Sequence, residues 1–162
     1  MIRNTLAIFA LVLAVVLQTS ILPVHVAGLF KPDLLLVATV FLALRGPVAQ
    51  CALLAWMLGL IKDVFSGLYL GLNAFSFLII FLVIKNISDL LYAESGELFV
   101  VTVSAATLAC VTSNLLLLLM LTSTPGIAYS MFAGLLPHLL SNAFAASLVT
   151  LLPVFSSPQE VL

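Results

Sequence analysis

The sequence predicts an all-α polytopic membrane protein: one transmembrane helical domain, residues 1–162, built as a bundle of about six helices. Three observations predict it. Of 162 residues 64% are hydrophobic and 7% are charged, where a soluble domain carries about 25% charged residues to clothe its water-facing surface. Six crossings of roughly 20 residues each, the length a hydrocarbon core demands, use up most of the chain and leave no room for a soluble domain. The apolar runs are punctuated by short stretches that hold nearly all the Gly, Pro and charged residues.

The first span is expected over Thr5–Leu22, with Gln18, Thr19 and Ser20 near its far end and Pro23 ending or bending it. Arg3 ahead of Leu6–Leu17 gives residues 1–27 some likeness to a signal peptide. His25 fits the cleavage region poorly and the remaining chain is itself membrane-spanning, so a retained first helix is expected. Val24–Lys31 is too short to cross again and reads as an interfacial turn. Lys31-Pro32-Asp33 then opens the second span, Leu34–Leu44, with a proline early in the helix and a carboxylate at its amino end. Asp33 is read as a border residue that neutralises Lys31 or Arg45, or supports the helix start.

Arg45-Gly46-Pro47 is a turn closing a helical hairpin. The third span, Val48–Ile61, reaches full length with Lys62 and Asp63 drawn toward the headgroups. From Gly59 to Gly71 three glycines and both signs of charge predict a structured re-entry or tight connection. The fourth span is Leu72–Ile84, with Lys85 snorkelling and with Asn73 and Ser76 capping or packing its start. Lys85, Asn86, Ser88, Asp89, Glu94 and Glu97 mark the longest loop. The fifth span, Leu98–Leu121, and the sixth, Ile127–Pro153, are joined by the uncharged Thr122–Gly126, and the tail Val154–Leu162 carries only Glu160. Arg3, Arg45 and Lys85 fall on one side, Lys31 and Lys62 on the other, which places both termini in the cytoplasm by the excess of basic residues inside.

Five Lys or Arg without a cluster exclude a nucleic-acid partner. Cys51 and Cys110 sit within apolar runs and read as core thiols. No nucleophile–base set, phosphate-binding loop or metal-ligand pattern is present, so neither enzymatic activity nor a cofactor nor a metal is expected. His138, Ser141 and Asn142 share one helical face, and Thr112, Ser113 and Asn114 lie midway along the fifth span. The two groups are expected to face each other as helix-packing contacts; the alternative is a cavity for a small or lipid-linked substrate. Asp63 must find water, a cation or donated hydrogen bonds. Amides around Ser66 and Gly67, or a basic group, are its expected partners in a structural turn; the alternatives are an ordinary border residue beside Lys62 and a direct proton or ion role.

Lys31-Pro32-Asp33 followed by Leu34-Leu35-Leu36-Val37, and above all Gly59-Leu60-Ile61-Lys62-Asp63-Val64-Phe65-Ser66-Gly67-Leu68-Tyr69-Leu70-Gly71, resemble the MreD family of bacterial inner-membrane proteins of the rod-shape system. The likeness extends over essentially the whole chain. It implies a six-span bundle similar to the substrate-binding membrane component of energy-coupling-factor transporters, without catalytic activity. It also implies work beside MreC, the actin-like MreB, RodA and a class B penicillin-binding protein in lateral peptidoglycan synthesis. Pro32, Asp33, Gly59, Asp63, Ser66, Gly67 and Gly71 carry the family pattern. The expected function is a multi-pass scaffold in the inner membrane that holds a membrane helix of MreC among membrane lipids. The alternative is a binding or transport component whose cavity is lined by His138, Asn142 and Asn114.

Overall fold

The computed structural model describes residues 2–25, 30–66, 69–88, 95–121 and 127–151. Among these, all regular structure is helical, arranged as six rods. The first rod is α1 (Ile2–Val16), a π-helical turn (Leu17–Ile21) and α2 (Leu22–His25). It continues past Pro23, the residue expected to end or bend it. The amide of Leu22 bonds the carbonyl of Leu17, one position further back than in an α-helix, and this wider turn directly precedes the residue that has no amide to offer. The remaining rods are α3 (Leu34–Arg45), α4 (Val48–Ser66), α5 (Leu72–Ile87), α6 (Gly96–Leu121) and α7 (Ile127–Thr150).

Successive rods run antiparallel. Gly46 and Pro47 turn α3 into α4, and the Lys85 ammonium, in the last turn of α5, donates to the carbonyl of Gly46 at 2.9 Å. Phe41 of α3 meets Phe99 of α6 edge to face with ring centroids 6.4 Å apart, and Gly96 lies against Thr150. The ends of α3, α5 and α7 and the starts of α4 and α6 therefore share one end of the bundle. Arg45, stacked over the Phe41 ring, Lys85 and Glu97 of the first turn of α6 mark that end as its charged border.

The shortest of the six rods is the central one. In α3, Leu-Leu-Leu-Val-Ala-Thr-Val-Phe-Leu-Ala-Leu leaves no polar face, and a helix apolar all round is stable only when surrounded. Accordingly α3 packs against α1, α4, α5, α6 and α7. Leu35, Leu36, Val37, Val40 and Ala43 form a core with Ala55 and Leu58 of α4, Phe77, Ile80 and Phe81 of α5, Phe99 and Val103 of α6 and Ala146 of α7. The hydroxyl of Thr39 is buried there because it donates to the carbonyl of Leu35, one turn back.

By length and composition, α4, α6 and Ala133–Thr150 of α7 are apolar enough to cross a membrane, while Phe9–Ile21, α3 and α5 are shorter apolar helices. The six-helix bundle and most boundaries match the sequence expectation; α4 does not. It runs helically to Ser66 instead of ending near Ile61, so Gly59–Ser66 of the Gly59–Gly71 motif is helix rather than part of a re-entry or tight connection. Lys62 and Asp63 need not reach headgroups because both are satisfied inside the protein. Gly67, residues 89–94 of the polar loop, Thr122–Gly126 and the tail from residue 152 lie outside the described residues.

Candidate functional site

Twelve residues of α3 span about 18 Å at ~1.5 Å per residue. Counted from the charged border at Arg45, the first turn of α3 therefore begins deep within a hydrocarbon core of about 30 Å. Thr107 of α6 stands about 17 Å along its helix from Gly96, and Asn142 of α7 about 12 Å from Thr150, by the same rise. These levels converge on one polar junction inside the bundle.

Its first half is built around Asp33, 1% exposed. One carboxylate oxygen caps α3 by accepting from the amide of Leu36 at 3.2 Å. The other accepts from the ammonium of Lys62 on α4, which also lies 5.0 Å from the centroid of the Phe77 ring. The amide of Asp33 donates to Oδ1 of Asn142 at 2.6 Å, and Nδ2 of Asn142 donates to Oγ1 of Thr107 at 3.0 Å. The amide of Leu34 donates to Oε1 of Gln18, buried on the π-helical turn, at 2.9 Å. The unpaired amides that begin a helix are thus answered by side chains from the first rod and α7, and the capping charge by α4.

The second half is built around Asp63, 2% exposed. Its Oδ2 accepts from the amides of Gly71 at 2.9 Å and Ala74 at 3.1 Å, and its Oδ1 from the amide and Nδ2 of Asn73 at 2.9 and 2.8 Å. A carboxylate from the end of α4 therefore caps the amino end of α5, where helix amides and dipole favour negative charge. Gly71 enters that turn with φ +98°, which an L side chain rarely adopts. Gly59 permits the close approach of α4 and α5, since a Cβ there would lie 2.4 Å from Cα of Ala74 and 2.6 Å from the carbonyl oxygen of Asn73. Nδ2 of Asn114 donates to Oδ1 of Asn73 at 3.0 Å, and Oγ of Ser76 donates to Oδ1 of Asn114 at 2.7 Å, which ties α6 in.

The expected partners of both carboxylates are corrected by this geometry. Asp33 pairs with Lys62, not with Lys31 or Arg45, and it is interior rather than a border residue. Asp63 accepts from amides beyond the turn and not from that of Ser66, while Gly67 lies outside the described residues; the Ser66 hydroxyl donates to the carbonyl of Asp63 at 3.1 Å. The expected facing of Asn114 with Ser141 and Asn142 is not made. Asn142 meets Thr107, two turns along α6 from Asn114, and the Ser141 hydroxyl turns back to the carbonyl of Pro137 at 2.8 Å. His138 is brought to the junction by Nδ1, 3.1 Å from the carbonyl of Lys31, and Pro32 forms the half-buried link between that carbonyl and Asp33.

Lys62, Gln18 and Thr107 are members that the sequence did not single out, whereas Asn73, read as capping or packing the start of α5, donates to Asp63 and accepts from Asn114. Gln18 and Lys62 carried a signal, an amide and an ammonium in otherwise apolar helices; Thr107 carried none. Every buried side-chain nitrogen and oxygen among the described residues has a partner, and no group of three or more metal-binding side chains occurs among them.

Compared with protein families, the chain matches the model of rod shape-determining protein MreD over residues 1–157. No curated protein and no solved structure gives a match.

Proposed function

Because the chain belongs to the MreD family of rod shape-determining proteins, we propose that it is a rigid inner-membrane scaffold. In this reading it holds a membrane helix of MreC and so helps position the peptidoglycan-synthesis machinery. RodA, a class B penicillin-binding protein and MreB belong to the same assembly, and the chain has no catalytic activity of its own. The charged end of the bundle, with Arg45, Lys85 and both termini, faces the cytoplasm.

One observation carries the scaffold reading: the polar groups of the junction are spent on one another. Lys62 and Asp63, adjacent on α4, fix the amino ends of α3 and α5, while Asn142, Gln18 and Asn114 bring in α7, the first rod and α6. A fully satisfied polar network favours one arrangement of helices over sliding alternatives. A carrier would need Asn142 and Asn114 to converge on one substrate, and they serve separate clusters. The segments between rods are short in sequence, so partners are engaged mainly through lipid-facing helices.

The test is co-purification from cells that express an affinity-tagged copy as their sole source of the protein. Recovery of MreC with the tagged chain, together with rod shape, supports the proposal. Rod shape maintained with no MreC recovered after in-membrane crosslinking overturns it, as does saturable uptake of a small molecule by vesicles containing the purified chain alone.

A further inference from the structure

We propose that the lipid-facing side of α4 is the docking surface for one membrane-spanning helix of a partner protein, and that this helix presents a hydrogen-bond acceptor to the indole of Trp56. The inference rests on the scaffold reading above and assigns it a face.

Along α4, Gln50, Leu53, Met57, Leu60 and Val64 recur at alternating spacings of three and four residues, the repeat of a left-handed helix–helix seam. Leu60 is half-buried and the other four are exposed. The seam is about 21 Å long at the rise of an α-helix, enough for pairing through most of the hydrocarbon layer. Trp56 stands beside it, 42% exposed, about 12 Å along the helix from Val48.

Among the described residues no acceptor meets the indole N–H of Trp56. Hydroxyls at lipid depth satisfy themselves by turning back to the carbonyl of the preceding turn, as Thr112 and Ser104 do here. An indole is a donor only, on a rigid ring, and the carbonyls of its own helix are engaged. Acyl chains offer no acceptor, and headgroup carbonyls lie at the border where tryptophan ordinarily resides. The outward residues of α5, Phe75, Ile79 and Val83, have no polar side-chain atom and suit plain lipid.

A second copy of this chain fits the seam poorly. Pairing α4 with its own copy about an axis along the membrane normal brings like levels together, indole donor to indole donor, with the weakly accepting thioether of Met57 between them. A partner helix with a Ser, Thr, Asn or Gln side chain at mid-height fills the seam and accepts from Trp56. Such polar contacts add to the close packing that binds helices in lipid, where there is no hydrophobic driving force between helices.

The test places photoreactive residues at Leu53, Met57 and Val64, with controls at Phe9 and Val16 of the first rod and Val101 and Leu108 of α6. The full-length chain is crosslinked in its native membrane with MreC as the probed partner. MreC adducts are expected at the α4 positions, and Trp56→Phe, which keeps the ring and deletes the donor, should lower their yield about three- to fivefold at unchanged protein level. Adducts confined to the control helices overturn this inference and leave the scaffold reading standing. So do α4 adducts with lipid or a second copy alone, or MreC adducts at α4 indifferent to Trp56→Phe. No MreC adduct at any position also overturns this inference, and the scaffold reading is then decided by co-purification.

Discussion

The ammonium of Lys62 donates to the carboxylate of Asp33, 29 positions earlier in the chain, and so joins the last turns of α4 to the first turn of the central helix. Removing one member of a buried pair leaves the other charge uncompensated. Asp33→Asn, which can still cap α3, should therefore lower stability by about 3 kcal/mol, read as a drop in the midpoint of unfolding in detergent micelles. Adding Lys62→Met should recover most of that loss, because an apolar replacement of the whole pair is often neutral. Equal instability of the single and double variants would show that the pair is not coupled.

Asp63 answers four donors at the start of α5. Asp63→Asn keeps one accepting oxygen but turns an amide group toward N–H donors, whereas Asp63→Ala leaves all four without an acceptor. The expected order of loss is Ala greater than Asn, about 4 against about 2 kcal/mol, given roughly 1–3 kcal/mol for each buried donor left unmade and incomplete additivity. Hydrogen exchange should accelerate at the amides of Gly71, Asn73 and Ala74 before it does so elsewhere in α5. Uniform acceleration through α5 and α6 would instead mean global loosening.

Gly59 and Gly71 belong to the same motif for different reasons, and alanine separates them. At Gly59 the new Cβ meets the backbone of α5, which cannot yield without moving a helix, so Gly59→Ala should cost about 2–3 kcal/mol, as overpacking does. At Gly71 nothing lies within 4 Å of the added atom, and the cost is the left-handed conformation alone, about 1–2 kcal/mol. Gly71→Asn, a residue that adopts that conformation more readily than alanine, should come closer to the parent protein, while Gly59→Asn should fare worse than Gly59→Ala. Thermal unfolding of the four variants decides the matter.

The sequence made the bundle legible because a hydrocarbon solvent leaves a coarse signature: apolar runs of spanning length, broken where glycine, proline and charge gather. It made Asp63 legible because a carboxylate in such a run demands donors, but it left Asp33 as a border residue. What it concealed was register. Lys62 lies one residue from Asp63, yet the two side chains serve different helices, α3 and α5, a division that depends on how α4 rotates between its neighbours. The same holds for α3, whose eleven positions Leu34–Leu44 read as an under-length span and prove to be the central rod, starting at the polar junction. Thr107 was invisible because a threonine that bonds its own helix, here at the carbonyl of Val103, has the same local sequence whether or not a second helix uses its oxygen.

Asn142 and Asn114 are the residues whose pairing the sequence misjudged, and their separation is itself measurable. They serve levels of α6 about 10 Å apart at the helical rise, one tied to Thr107 and Asp33, the other to Asn73 and Ser76. Each alanine replacement leaves buried donors or acceptors open, so Asn142→Ala and Asn114→Ala should each cost about 1–3 kcal/mol. With no shared partner and that spacing, the double variant should lose the sum of the two within about 0.5 kcal/mol. Asn142 accepts directly from the amide of Asp33, so the combined loss of Asn142→Ala and Asp33→Asn should depart from the sum by more than that. A strong coupling between Asn142 and Asn114 would mean that the two clusters act as one site, as a common substrate cavity would require.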